Sequence, residues 1–206
     1  MDTLSKRQRA PESLYLGYRG RRVRGDERER ANAPPRLAGE PVATRDGSTL
    51  WLRPIHASDV AALRRGFSGL SAEEVRLRFL HPMTELPEAF AIALCDIDPQ
   101  HAVAFVLIDG PDAPDPEIHA VARAFIDPVT LAAEFALVVQ HRYAGQRLGA
   151  MLMQRLIDAC HDRGAIEMWG DVLSENGAML ELCDFLGFSR HSVFQEPGIV
   201  RVTRAL

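Results

Sequence analysis

One stretch restricts what this chain can fold into more than any other. Residues 132–140 are almost wholly apolar, with Phe135, Ala136, Leu137, Val138 and Val139 in succession. Directly after them come Gln140-His-Arg-Tyr-Ala-Gly-Gln-Arg-Leu-Gly149. Beyond these, Leu148, Met151, Leu152, Leu156 and Cys160 recur at helical spacing. The apolar run reads as a central strand covered on both faces. Residues 147–162 read as a long amphipathic helix, ended by Gly164. A strand that feeds a helix through a glycine-bearing loop turns free backbone N–H groups outward, and with the helix dipole these favour a phosphate. Gly145 and Gly149 carry no side chain to block one. Spacing alone leaves a second explanation open, an ordinary tight strand-to-helix turn.

The flanking segments supply the other layers. Residues 49–55 alternate as a strand, and Ser58 or Asp59 opens a helix through Val60, Leu63 and Phe67 that Gly69 breaks. Ser71 with Glu74 forms a capping box ahead of Arg76 and Phe79, and Pro87 suits the first turn of a third helix. Residues 102–108 and 118–126 read as a hairpin around the turn-rich segment 110–116. After the long helix, residues 166–173 read as a strand, 175–186 as a helix, and 188–194 and 199–203 as strands. The order β, helices, β, β, β, α, β, α, β, β predicts a mixed sheet with helices on both faces, in the α/β to α+β range.

Charge divides the chain unevenly. The whole carries 24 Lys/Arg against 28 Asp/Glu, yet residues 1–40 hold ten basic and six acidic residues. Residues 1–47 are rich in Arg, Gly and Pro and offer little to bury, so they read as a disordered or loosely docked basic arm ahead of a domain at 48–206. Arg19, Arg21, Arg22 and Arg24 make the arm the one segment suited to nucleic acid, although a solvated arm explains them more simply. No apolar run is long enough to span a bilayer, and no signal core opens the chain, so a soluble, cytoplasmic protein without a membrane partner is expected. Cys95, Cys160 and Cys183 lie far apart in apolar stretches and read as buried reduced thiols. The seven histidines show no ligand spacing, so no metal is expected.

The run from Val139 to Phe188 resembles the GNAT superfamily of N-acetyltransferases. The resemblance lies in Ala144-Gly-Gln-Arg-Leu-Gly149 followed by Ala150, in Gly170-Asp-Val-Leu-Ser-Glu-Asn176, and in Leu186-Gly-Phe188. Leu52-Arg-Pro-Ile55 with Asp59, then Leu70-Ser71 and Arg76-x-Arg78-Phe79, are similar to the acetyltransferase domain of bacterial Pat-type protein-lysine acetyltransferases. The resemblance covers about residues 48–204. It implies a mostly antiparallel central sheet and acetyl-CoA as co-substrate. Ala144, Gly145, Gln146, Arg147, Leu148, Gly149 and Ala150 would cradle the diphosphate. Leu137, Val138 and Val139 would run along the pantetheine arm, an N–H near Val139 would polarise the thioester, and Asn176 would meet the cofactor. Three positions depart from the family pattern: Ala144 replaces Arg or Gln, Arg147 replaces the middle glycine, and Cys183 stands where many members carry a tyrosine acid.

The reaction needs a base, because an alkylammonium of pKa near 10.4 must lose a proton before it attacks a thioester. Glu134, at the entry to the apolar strand, is the candidate, and the resemblance assigns a glutamate there that role. A solvated strand-end glutamate is the other reading. The acceptor is expected to be a protein lysine, with a small amine as the alternative. A non-catalytic acyl-CoA sensor is a further reading, prompted by the three departures.

Overall fold

The computed structural model describes residues 39–110, 113, 115–194 and 196–206. Eight strands form one sheet: β1 (Glu40–Ala43), β2 (Thr49–Pro54), β3 (Ala102–Ile108), β4 (Ile118–Ile126), β5 (Ala132–Val139), β6 (Glu167–Leu173), β7 (Ser189–Ser192) and β8 (Ile199–Ala205). Their spatial order is β1-β2-β3-β4-β5-β6-β8-β7. Each neighbouring pair is antiparallel except β5 and β6, which are parallel. A parallel pair needs a crossover, and α4 (Leu148–His161) supplies it. The remaining helices are α1 (Val60–Ser68), α2 (Ala72–Phe79), α3 (Glu88–Cys95) and α5 (Gly177–Phe185). The expected mixed sheet with helices on both faces is what forms.

Alternation along the strands sorts the core into two halves. Leu52, Val103, Leu107, Ala122, Phe135 and Leu137 pack against Leu152, Met153 and Leu156 of α4 and Leu180 of α5. On the opposite face, Ala104, Val106, Ile108 and Ile118 meet Leu63 and Phe67 of α1, Val75 and Phe79 of α2, and Ala91 and Cys95 of α3. The three cysteines are free and buried, as expected. Burial pushes the Cys95, Cys160 and Cys183 thiols up to about 12, 11 and 12.

Two expectations need correction. The boundary between arm and domain at 47/48 falls inside a hairpin, because Glu40–Ala43 pairs with β2 and carries the sheet upstream of Ser48. Pro41 suits that place, since an edge strand tolerates a residue without an N–H. Residues 1–38 of the expected arm lie outside the described residues. Second, the strand covered on both faces is β3, not β5. Along β5 only Ala133, Phe135 and Leu137 are buried, while Glu134, Ala136 and Val138 face a side that α1–α3 do not seal. That opening positions the site.

Candidate active site

β5 and β6 begin as neighbours and then part. Their pairing covers Ala132 to Glu134 against Glu167 to Trp169 and stops there. Gly170 marks the point of separation: the Phe135 ring lies across it, so a Cβ there would come within 2.7 Å of Cε1. Gln140 donates its N–H to the His119 carbonyl, and the Ala132 carbonyl accepts from Asp127 N, so even-numbered residues of β5 belong to the β4 ladder. Alternate residues turn their backbone polar groups the other way. Leu137 and Val139 therefore present an N–H and a C=O to the gap between β5 and β6, where an extended pantetheine arm can pair with them. Val138 does not, contrary to the expectation for it. Its backbone is committed to β4 and its side chain lines a cavity on the α1–α3 side.

The loop at the mouth of the gap fits a diphosphate. Among the described residues, the N–H groups of Gly145, Gln146, Arg147, Leu148, Gly149 and Ala150 engage no hydrogen bond. The next one, of Met151, closes the first helical turn on the Arg147 carbonyl. Gly145 has φ 71° and Arg147 has φ 65°. Both are left-handed, so the backbone keeps the shape that a glycine-rich loop adopts although one position carries arginine, at a cost of about 1–2 kcal/mol. Ala144 is exposed, and the Gln146 side chain accepts from Arg45 N at 3.1 Å, which ties the loop to the β1–β2 turn. The departures at Ala144 and Arg147 thus leave the backbone cradle intact.

The start of this loop is braced from β4. Arg142 donates to Glu117 at 2.7 Å, to His119 Nδ1 at 2.7 Å and to Gln140 at 3.0 Å. Burial shifts His119 below the ordinary histidine value, which suits a neutral ring accepting at Nδ1. His141 N donates to Glu74 of α2 at 2.7 Å. Arg142 and His141 are therefore structural neighbours of the loop with partners inside the protein. Helix α2 also reaches the far lip, where Arg76 pairs with Glu175. It bridges the gap from the end of β5 to the start of α5. His81 bonds the Phe79 carbonyl through Nδ1 at 2.7 Å as a turn residue.

Beneath α2 the gap narrows to a recess lined by Arg78, Glu134, Ala136, Leu137, Asp171, Asn176 and Met179. Asn176 caps α5, accepting from Met179 N at 3.2 Å, and lines the recess as well, so both expected roles are compatible. Cys183 is wholly buried in the α4–α5 core, away from the recess residues. With its thiol held near 12 it is no proton source. A second cavity, of about 140 Å³, opens on the α3 side, lined by Arg78, Phe90, Asp96, Arg123, Phe125, Glu134 and Ala136 among others. Glu134 lines both spaces. Two half-buried arginines feel its charge. Burial lowers Arg78 to about 9 and Arg123 to about 10, and Glu134 counteracts part of each shift. The arginines were not singled out from the sequence as site residues, since charges on an amphipathic helix and a strand read as solvated faces.

Comparison with known proteins adds to this geometry. A family model described as the acetyltransferase (GNAT) family matches residues 71–188. An acetyltransferase of Pseudomonas aeruginosa is 32% identical over 143 residues, 69% of this chain and 76% of that protein. The acetyltransferase Pat of Mycolicibacterium smegmatis is 29% identical over 148 residues, 71% of this chain and 43% of its own length. The crystal structure of the GNAT domain of S. lividans PAT superposes with a TM-score of 0.73 at 23% identity. That match covers 84% of this chain and all of the other, and it speaks for the fold alone.

Proposed function

The chain belongs to the acetyltransferase (GNAT) family, and from that premise we propose that it transfers the acetyl group of acetyl-CoA to a primary amine with Glu134 as general base. The observation that carries this reading is the position of Glu134, which lines both the recess at the end of the β5–β6 gap and the cavity beside it. Acetyl-CoA supplies an activated thioester. The N–H groups of 145–150 hold its diphosphate, Leu137 and Val139 pair with its pantetheine arm, and the neighbouring cavity admits the amine. Glu134 removes the ammonium proton directly or through one water. Because Cys183, at the position where many members carry a tyrosine acid, supplies no side chain to the recess, the thiolate leaves without a dedicated acid. A thiol pKa near that of free cysteine allows this.

A protein lysine side chain is the acceptor we favour, supported by the similarity to Pat. The cavity is lined in part by Phe90, Ala93 and Phe125, apolar walls suited to an aminoalkyl chain. Thiol release from acetyl-CoA, followed with lysine-bearing proteins and with small amines side by side, tests the proposal. Turnover with the proteins supports it. Turnover confined to small amines replaces the acceptor. Tight acetyl-CoA binding with no turnover on either set leaves a sensor.

A further inference from the structure

Arg78 is costly to place where it is. Its Nη1 is sealed from solvent and has no hydrogen-bond partner among the described residues. A buried charged donor left unsatisfied costs upward of about 1–3 kcal/mol. The guanidinium lies 4.7 Å from the centroid of the Phe79 ring, which offers a weak quadrupole in place of an acceptor atom. Glu134 is the carboxylate whose charge reaches it, and the same carboxylate also serves Arg123. Asp171, the other acid in the recess, is held on both oxygens by Arg201, at 2.8 and 2.7 Å. Asp96 and Asp98 are exposed at the rim of the cavity. Around these spaces two guanidinium groups, of Arg78 and Arg123, share the charge of Glu134, and among the described residues Arg78 Nη1 is one of two buried side-chain nitrogens, with His119 Nε2, that lack a partner.

Arg78 also occupies a singular position. It lines the recess on the donor side and both cavities on the α1–α3 side. Any ligand atom at the junction of these spaces passes beside it. During acetyl transfer, new negative charge gathers on one atom, the thioester carbonyl oxygen. We propose that Arg78 is a catalytic residue whose Nη1–H donates to this oxygen as the charge develops. The inference rests on acetyl transfer at Glu134. The amine lone pair forms the C–N bond while the carbonyl π pair moves onto oxygen, and there Arg78 meets it. Glu134 has by then taken the proton that freed the lone pair; the oxygen pair returns, the C–S bond breaks with its electrons on sulfur, and the second proton that the nitrogen sheds passes to that thiolate. Because Nη1 is sealed in the resting enzyme, a small turn of the guanidinium brings its N–H onto the oxygen, in a site shielded from water where such a donor counts most. The resting enzyme carries the unsatisfied donor, and the transition state satisfies it.

The test reads the carbonyl itself. Acetyl-CoA labelled at its carbonyl carbon is bound to the Glu134→Gln protein, and the carbonyl stretch is measured by infrared difference spectroscopy with Arg78 present and with Arg78→Met. A lowered frequency is expected with Arg78, returning toward that of free acetyl-CoA in Arg78→Met while calorimetric affinity for acetyl-CoA stays the same. In the protein that keeps Glu134, Arg78→Met should lower kcat by about 10²–10³-fold, the usual loss for one such donor. Arg78→Lys, which keeps the charge, should recover part of it and carries the same infrared comparison if the methionine variant does not fold. An identical carbonyl frequency with and without Arg78 overturns the proposal and leaves Arg78 as a positioning residue for Glu134. Absence of thiol release by the unaltered protein would instead overturn the parent reading, whatever the spectrum shows.

Discussion

The two sides of the cleft are built from different materials. On the side proposed for acetyl-CoA the groups on offer are backbone: six N–H groups at 145–150 and the gap-facing edges of Leu137 and Val139. On the side proposed for the amine they are side chains, Glu134, Arg78 and Arg123, brought from β5, α2 and β4. A backbone cradle tolerates substitution as long as its dihedral angles survive, which is why Ala144 and Arg147 can stand where the family usually has other residues. A cluster of buried charges tolerates little, because each group is stabilised by the others.

That contrast can be broken at several points. The largest effect on stability is expected on the acceptor side, at the Arg53–Asp59 pair that anchors the entry to α1. Arg53 donates to both Asp59 oxygens at 2.7 and 2.9 Å, and the two side chains are only 10% and 7% exposed. Asp59→Ala strands a buried guanidinium and should cost about 3–5 kcal/mol in chemical denaturation. A loss of a few tenths would mean that water reaches the pair. Next comes the loop. A Cβ at Gly145 meets nothing within 4 Å, so Gly145→Val acts through φ alone. A β-branched residue at φ 71° should cost about 1–3 kcal/mol. Calorimetry should show weaker acetyl-CoA binding, by about tenfold for each 1.4 kcal/mol that falls on the bound loop. The smallest effect is a gain. Arg147→Gly relieves the same kind of strain and should raise stability by about 0.5–1 kcal/mol after the entropy of a new glycine is subtracted. A fall in melting temperature would show that the Arg147 side chain contributes more than its backbone costs.

Much of the fold was legible, and for stated reasons. The apolar runs at 102–108 and 132–139, the alternation at 118–126 and the period-3.6 run in α4 carry their own signal, and Ser71 with Glu74 forms the expected capping box, at 3.2 and 2.8 Å. β1 was not legible, because Glu-Pro-Val-Ala holds one large apolar residue and gains its order from β2. The half-open face of β5 was hidden for a similar reason. An apolar run states that residues avoid water, whereas the extent of α1–α3 decides which of them are covered. Within the site, Gly145, Asn176 and Glu134 could be read from position and resemblance. Arg78 and Arg123 could not, since α2 must fold onto β4 and β5 before their charges meet.

The claim that chemistry resides in the side-chain half is tested most directly at Glu134. Glu134→Gln is close to isosteric and leaves the loop untouched. Acetyl-CoA affinity by calorimetry and thiol release with a productive amine should be measured on it and on the unaltered protein together. The account predicts an unchanged dissociation constant and a kcat lower by about 10²–10⁴-fold, the range for loss of a general base. Equal turnover by the two proteins would contradict it.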